Sequence, residues 1–218
     1  MNSLLGIRFF CSLFTFIFLG IVHCSAQDAT SILDKAAAVY EKSNGVAIQF
    51  SMHIRSEQQQ VSESFDGTID IKGDKFVLKT PGMVTWFDGT NQWTYVEQNE
   101  EVNLSCPNES EIQVTNPALL LRSYKKGFNV KYKGESTASN GKSCYDISLI
   151  PKKKNDIETV ELQIEKYSNW PATIMVLTKQ GLRSMIRVSQ LKTEMNQPDS
   201  YFVFNETVFP NVEVIDLR

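Results

Sequence analysis

The sequence predicts an α+β domain in which one curled antiparallel sheet of about ten or eleven strands wraps two short helices. Three observations carry that prediction. From Val46 onward, apolar residues alternate with polar ones in short runs, the period of half-buried strands. Tight-turn signals separate the runs: Lys72-Gly73-Asp74, Asp88-Gly89, Asn140-Gly141 and Gln180-Gly181. Helical spacing shows in two places only, before the first strand and in mid-chain.

The first 26 residues read as an export signal. Arg8 precedes the apolar run Phe9 to Val22, and Cys24-Ser25-Ala26 is a small-x-small cleavage site. The run is about 14 residues, short of the roughly 20 that a membrane-spanning helix needs. Cys24 also stands where a lipid-modified cysteine would, with His23 in place of the usual small neighbour. Residues 27–218 then form one domain, with no linker or repeat to divide it.

Residues 28–43 carry Ile32, Leu33, Ala36, Ala37, Val39 and Tyr40 at helical spacing, and Asn44-Gly45 stops the helix. In the next strand Val46, Ile48, Phe50, Met52 and Ile54 share one face, while His53 and Arg55 share the other. Val61–Lys72 follows, with Phe65, Gly67, Ile69 and Ile71 on one face and Gly67 suggesting a bulge or bend. Phe76–Leu78, Met83–Phe87, Asn91–Val96 and Glu101–Cys106 complete the first group of strands. Asn116 caps a second helix, Pro117 opens it, and Leu119, Leu120, Leu121 and Tyr124 give it a broad apolar face. Strands resume at 128–135, 142–150, 157–166, 171–178 and 182–193, and a last one is expected at Tyr201–Phe204.

Loss of Arg8 with the signal moves the formal charge from −3 to −4, which leaves no basic excess to attract nucleic acid. His53 is the only histidine of the mature chain, lies on a polar strand face and has no Gly-x-Ser-x-Gly elbow to serve. No enzyme, cofactor or metal site is expected. Asp66, Asp70 and Asp74 read as turn and outer-face residues, and Lys152-Lys153-Lys154 as a solvated turn. Cys106 and Cys144 are an even pair in an exported chain, open to a disulfide or to two thiols packed as small apolar groups.

What remains is apolar. Phe50, Met52, Ile54, Phe65, Ile69, Ile71, Phe76, Leu78, Trp86, Trp93 and Tyr95 are expected to share one sheet face. A barrel-like sheet of this width leaves a cavity unless helices plug it. The helix bearing Leu119, Leu120, Leu121 and Tyr124 is inserted like a lid.

The pattern Asp88-Gly89-x-x-x-Trp93-x-Tyr95, followed by Asn116-Pro117-Ala118-Leu119-Leu120-Leu121, resembles the LolA family of periplasmic outer-membrane lipoprotein carriers. The leading helix, the Phe65-x-Gly67 strand and the segment Phe202 to Val214 fit the same family. The resemblance implies an incomplete antiparallel β-barrel closed by short helices, whose cavity binds the acyl chains of lipoproteins in the periplasm of a Gram-negative bacterium. It also implies a monomer that takes cargo from an inner-membrane lipoprotein-releasing transporter and passes it to an outer-membrane acceptor. Variants on the theme are a binder of another lipid or a lipid-anchored acceptor. The family's arginine linked to hand-off is missing, and Lys72 or Lys75 is expected to stand in for it.

Overall fold

The computed structural model describes residues 29–108, 112 and 117–218, so the expected export signal and Cys24 lie outside the described residues. Helix α1 (Ala29–Lys42) buries Ile32, Leu33, Ala36 and Tyr40 along one stripe. The chain leaves it through Gly45 at φ 90°, a backbone state that a side chain would strain. A first meander follows: β1 (Val46–Ser56), β2 (Val61–Lys72), β3 (Lys75–Thr80), β4 (Met83–Phe87), β5 (Gln92–Val96) and β6 (Glu101–Ser105). Helix α2 (Pro117–Gly127) leads into a second: β7 (Phe128–Thr137), β8 (Ser143–Pro151), β9 (Ile157–Glu165), β10 (Pro171–Thr178) and β11 (Arg183–Thr193).

Pairing of β1 with β11 joins the two meanders into one open sheet, which a final strand, β12 (Glu213–Asp216), completes. The strand order is β12-β6-β5-β4-β3-β2-β1-β11-β10-β9-β8-β7. The architecture is therefore the incomplete barrel expected, with twelve strands in the sheet among the described residues. One expectation fails at the C-terminus. Tyr201–Phe204 is not a strand; Asp199–Phe202 is a 3-10 turn, and Phe202 and Phe204 are buried by packing on the sheet instead of pairing with it. The last strand, β12, runs parallel to β6. Parallel pairing requires the chain to cross the sheet first, and residues 203–212 make that crossing.

Alternation gives the sheet two apolar faces of unequal size. On the concave face, α1 and α2 lie against β7 to β10, and Leu33, Leu121, Tyr124, Ile147, Leu149 and Ile164 form the centre of the core. Val46, Ile48, Phe50, Ile69, Ile71, Phe76 and Phe87 continue it across the first meander, with Tyr40 of α1. Cys106 and Cys144 are both free thiols, which removes the disulfide. Cys106 directly follows β6 and Cys144 lies in β8, strands near opposite edges of the sheet. Cys144 packs with Ala138 and Ala172, and burial pushes its thiol up from the ordinary range.

Candidate functional site

Where the two meanders meet, the concave face is not filled. A cavity of about 220 Å³ lies between β1, β2 and β3 on one side and β10 and β11 on the other. Phe50, Met52, Phe65, Ile69 and Leu78 line it. Ile174, Ile186 and Val188 of the second meander complete the wall, with Ile48, Met83 and Pro171; Thr80 supplies the one polar side chain among the described lining residues. Sequence reading missed the β10 and β11 contribution because those residues lie roughly ninety or more positions further along the chain. The signal was present as the alternation Arg183, Met185, Arg187 against Ser184, Ile186, Val188.

Register explains how the strands aim these residues inward. Phe50 stands opposite Gly67 on β2 with no register shift in that pair; the only irregularity on β1 is toward β11, at Gln49/Phe50. Gly67 is therefore not a bulge. A Cβ there would lie 2.5 Å from Phe50 Cζ and 2.9 Å from the Lys79 carbonyl oxygen, so the glycine exists to let the Phe50 ring lie flat over β2.

Register also divides the expected residue set. Ile71 and Phe76 are on the concave face but are fully buried in the core. Ile54 is half-buried at the far end of β1, beyond the described cavity wall. Trp86, Trp93 and Tyr95 are a correction: they lie on the opposite face. Trp86 pairs with Val77 and Trp93, whereas Leu78 pairs with Thr85, so Thr85 and not Trp86 continues the cavity face. On the back of the sheet Trp86 meets Phe204 and Phe209 at ring-centroid distances of 5.4 and 5.8 Å, and Tyr95 meets Phe209 at 5.0 Å. The crossing segment 203–212 makes this second aromatic core.

The expected lid is also placed differently. Leu120, Leu121 and Tyr124 are buried in the core against α1 and β7, and no described α2 side chain lines the cavity; the Leu119 side chain lies outside the described residues. The Tyr124 hydroxyl lies 2.8 Å from Asp34 Oδ1 and 3.0 Å from the Thr30 carbonyl, sharing its one proton between these two acceptors, and Lys125 pairs with Asp34 at 2.7 Å. The Lys125 hydrogen bond, with that of Tyr124, holds the Asp34 carboxyl below its usual range despite some desolvation. These contacts tie the helix to α1.

Lys72 and Lys75 converge on Asp199, at 3.1 and 2.7 Å, and Lys72 also donates to the Gln197 carbonyl at 2.7 Å. Lys75 and then Lys72 hold the Asp199 carboxyl low. Beside them Tyr201 donates its hydroxyl to Asp70, and burial followed by the Asp70 carboxylate pushes the phenol up. The lysines thus clasp the start of the C-terminal segment to the β2–β3 turn.

A family model described as outer membrane lipoprotein carrier protein LolA matches residues 19–180, well over half of the chain. The chain belongs to the LolA family. Among solved structures, a conserved protein of Thermus thermophilus aligns at TM-score 0.56 and 14% identity, covering 88% of this chain and 99% of that one. A DUF1329 family protein of Desulfovibrio piger aligns at TM-score 0.51 and 12% identity, covering 81% and 96%. A LolA superfamily protein of Nitrosomonas europaea gives TM-score 0.46, 12% identity and coverage of 81% and 97%. The first two likenesses show the fold. No curated protein is a significant sequence match. A LolA-type sheet thus carries, in this chain, an apolar cavity at the junction of its two meanders.

Proposed function

We propose that this protein is a periplasmic carrier that binds the acyl chains of lipoproteins in the β1–β3/β10–β11 cavity and moves them from the inner to the outer membrane. The observation that supports this reading is the cavity's lining, in which Thr80 alone is polar among the described residues. Membership of a family described as outer membrane lipoprotein carriers supports lipoproteins as the cargo. At about 220 Å³ the cavity is smaller than the roughly 300–1,000 Å³ of ordinary small-molecule sites. It therefore takes part of a chain as it stands. Partial burial suits transfer: each CH₂ withdrawn from water is worth about 0.8 kcal/mol, so full burial of several chains would hold cargo too tightly to pass on. On this reading residues 1–26 are the export signal, 27–218 the carrier, and the partners are an inner-membrane transporter and an outer-membrane acceptor.

The test is depletion of the protein followed by separation of the two membranes. Lipoproteins should accumulate in the inner membrane. Unchanged lipoprotein distribution, together with a glycolipid or other non-protein lipid in native mass spectra of the purified protein, would replace this reading with that of another lipid's binder.

A further inference from the structure

We propose that the outer face of the sheet carries a binding site for a soft monovalent metal ion, Cu⁺ or Ag⁺, formed by His53, Met185 and Met175. The site is separate from the lipid cavity and does not depend on it. β1, β11 and β10 are adjacent strands, in which His53 pairs with Met185 and Met185 with Met175. Directly opposed residues of an antiparallel pair have Cβ atoms about 4.5–5.5 Å apart. An imidazole and two thioethers therefore stand in one row, with Met185 in the middle. The row in front of it, Met52, Ile186 and Ile174, faces the apolar cavity, so strand alternation turns the His-Met-Met row outward. Both methionines line an open groove of about 570 Å³ on that outer face.

Methionine serves in cores as a flexible filler. Two side by side on a solvent-facing groove, next to the sole histidine of the mature chain, are not explained by core packing. His53 is also oriented for the role. Its Nδ1 lies 2.6 Å from Ser64 Oγ on β2. In the tautomer in which Nδ1–H donates to that hydroxyl, the Nε2 lone pair is free, and a ligating histidine usually has its other ring nitrogen engaged in this way.

The chemistry selects the ion. Thioethers are soft, neutral ligands that favour Cu⁺-type ions over hard divalent cations. Arg183 and Arg187, two residues to either side of Met185 on the same face, repel a doubly charged ion more strongly than a singly charged one. Glu161 extends the row beyond Met175, held by Ser148 at 2.9 Å and Thr159 at 3.1 Å, and supplies the adjacent negative charge.

The test uses the mature chain with Cys106→Ser, which removes the exposed free thiol as a competing ligand. Ag⁺ serves as a redox-inert probe, followed by calorimetry and by ¹³C-methyl methionine spectra. One equivalent should bind, shifting the Met175 and Met185 methyl signals. Met185→Leu and Met175→Leu should each weaken binding at least about tenfold, and Ser64→Ala by about 10–100-fold, as loss of an outer-shell partner does. The leucine changes conserve volume and leave the melting temperature little altered. Anaerobic Cu⁺ titration should follow the same order. Absence of Ag⁺ binding in the Cys106→Ser protein, or affinity unaffected by both leucine variants, overturns the proposal. If a leucine variant fails to fold, the methyl spectrum of the Cys106→Ser protein decides: shifts confined to Met175 and Met185 support the site, and shifts at other methionines reject it.

Discussion

Gly67→Ala perturbs the cavity from beneath. The new methyl would stand 2.5 Å from Phe50 Cζ, 3.0 Å from Phe50 Cε2 and 2.9 Å from the Lys79 carbonyl oxygen. Carbon contacts settle near 3.5–4.0 Å, so the ring must move by roughly 1 Å. Its neighbours on β1 and β2 are fixed by the ladder, which leaves the cavity as the direction of escape. The Lys79 oxygen is backbone and cannot swing aside. Overpacking of this kind costs about 1–3 kcal/mol. For a domain of this size that lowers Tm by about 2–4 °C per kcal/mol. The displaced ring also takes up cavity space, so binding of a fluorescent fatty acid should weaken in parallel. A double-mutant cycle isolates the cause: Phe50→Leu removes the clashing ring edge, so Gly67→Ala should cost at least about 1 kcal/mol less in that background. If Gly67→Ala is neutral, or its cost is the same with leucine at position 50, the placement of Phe50 over Gly67 is wrong.

Two further perturbations test other parts of the structure. Leu120→Ala, at a residue 6% exposed in the core against α1, should destabilise the fold by about 2–5 kcal/mol in denaturant melts; a neutral result would restore the free-flap reading of α2. Glu165 is nearly buried; its burial pushes the carboxyl up, but hydrogen bonds from Ser168, Lys142 and Asn140 outweigh that and leave it lowered. A lowered folded value means the stabilisation is complete above the ordinary value of 4.5 and is lost as pH falls through the lowered one. Glu165→Gln should therefore cost about 1–3 kcal/mol at neutral pH, with the gap to wild type closing in acid melts; a constant gap across pH would refute it.

The cavity wall on β1 to β3 was legible because Phe50, Met52, Phe65, Ile69 and Leu78 repeat at period two between polar neighbours. The error over Trp86, Trp93 and Tyr95 has a specific source. Met83, Val84, Trp86 and Phe87 put apolar residues on both phases of β4, so alternation could not say which phase faced inward. In β5 the large residues Trp93 and Tyr95 alternate cleanly with Gln92 and Thr94, yet they face the back. A clean pattern shows that one face is covered, not by what. The unabsorbed signal was the tail itself, where Phe202, Phe204 and Phe209 need an apolar surface of their own.

By itself the sequence determined where most of the strands and helices begin and end, and which residues of each strand share a face. Those follow from local periodicity, turn chemistry and capping, all of which act within a few residues. Only the tertiary structure decided which faces of neighbouring strands align, that β11 closes against β1 around a hollow, and that the tail roofs the opposite side. Those outcomes rest on inter-strand register and on contacts between segments a hundred or more residues apart, where a shift of a single residue exchanges inside for outside.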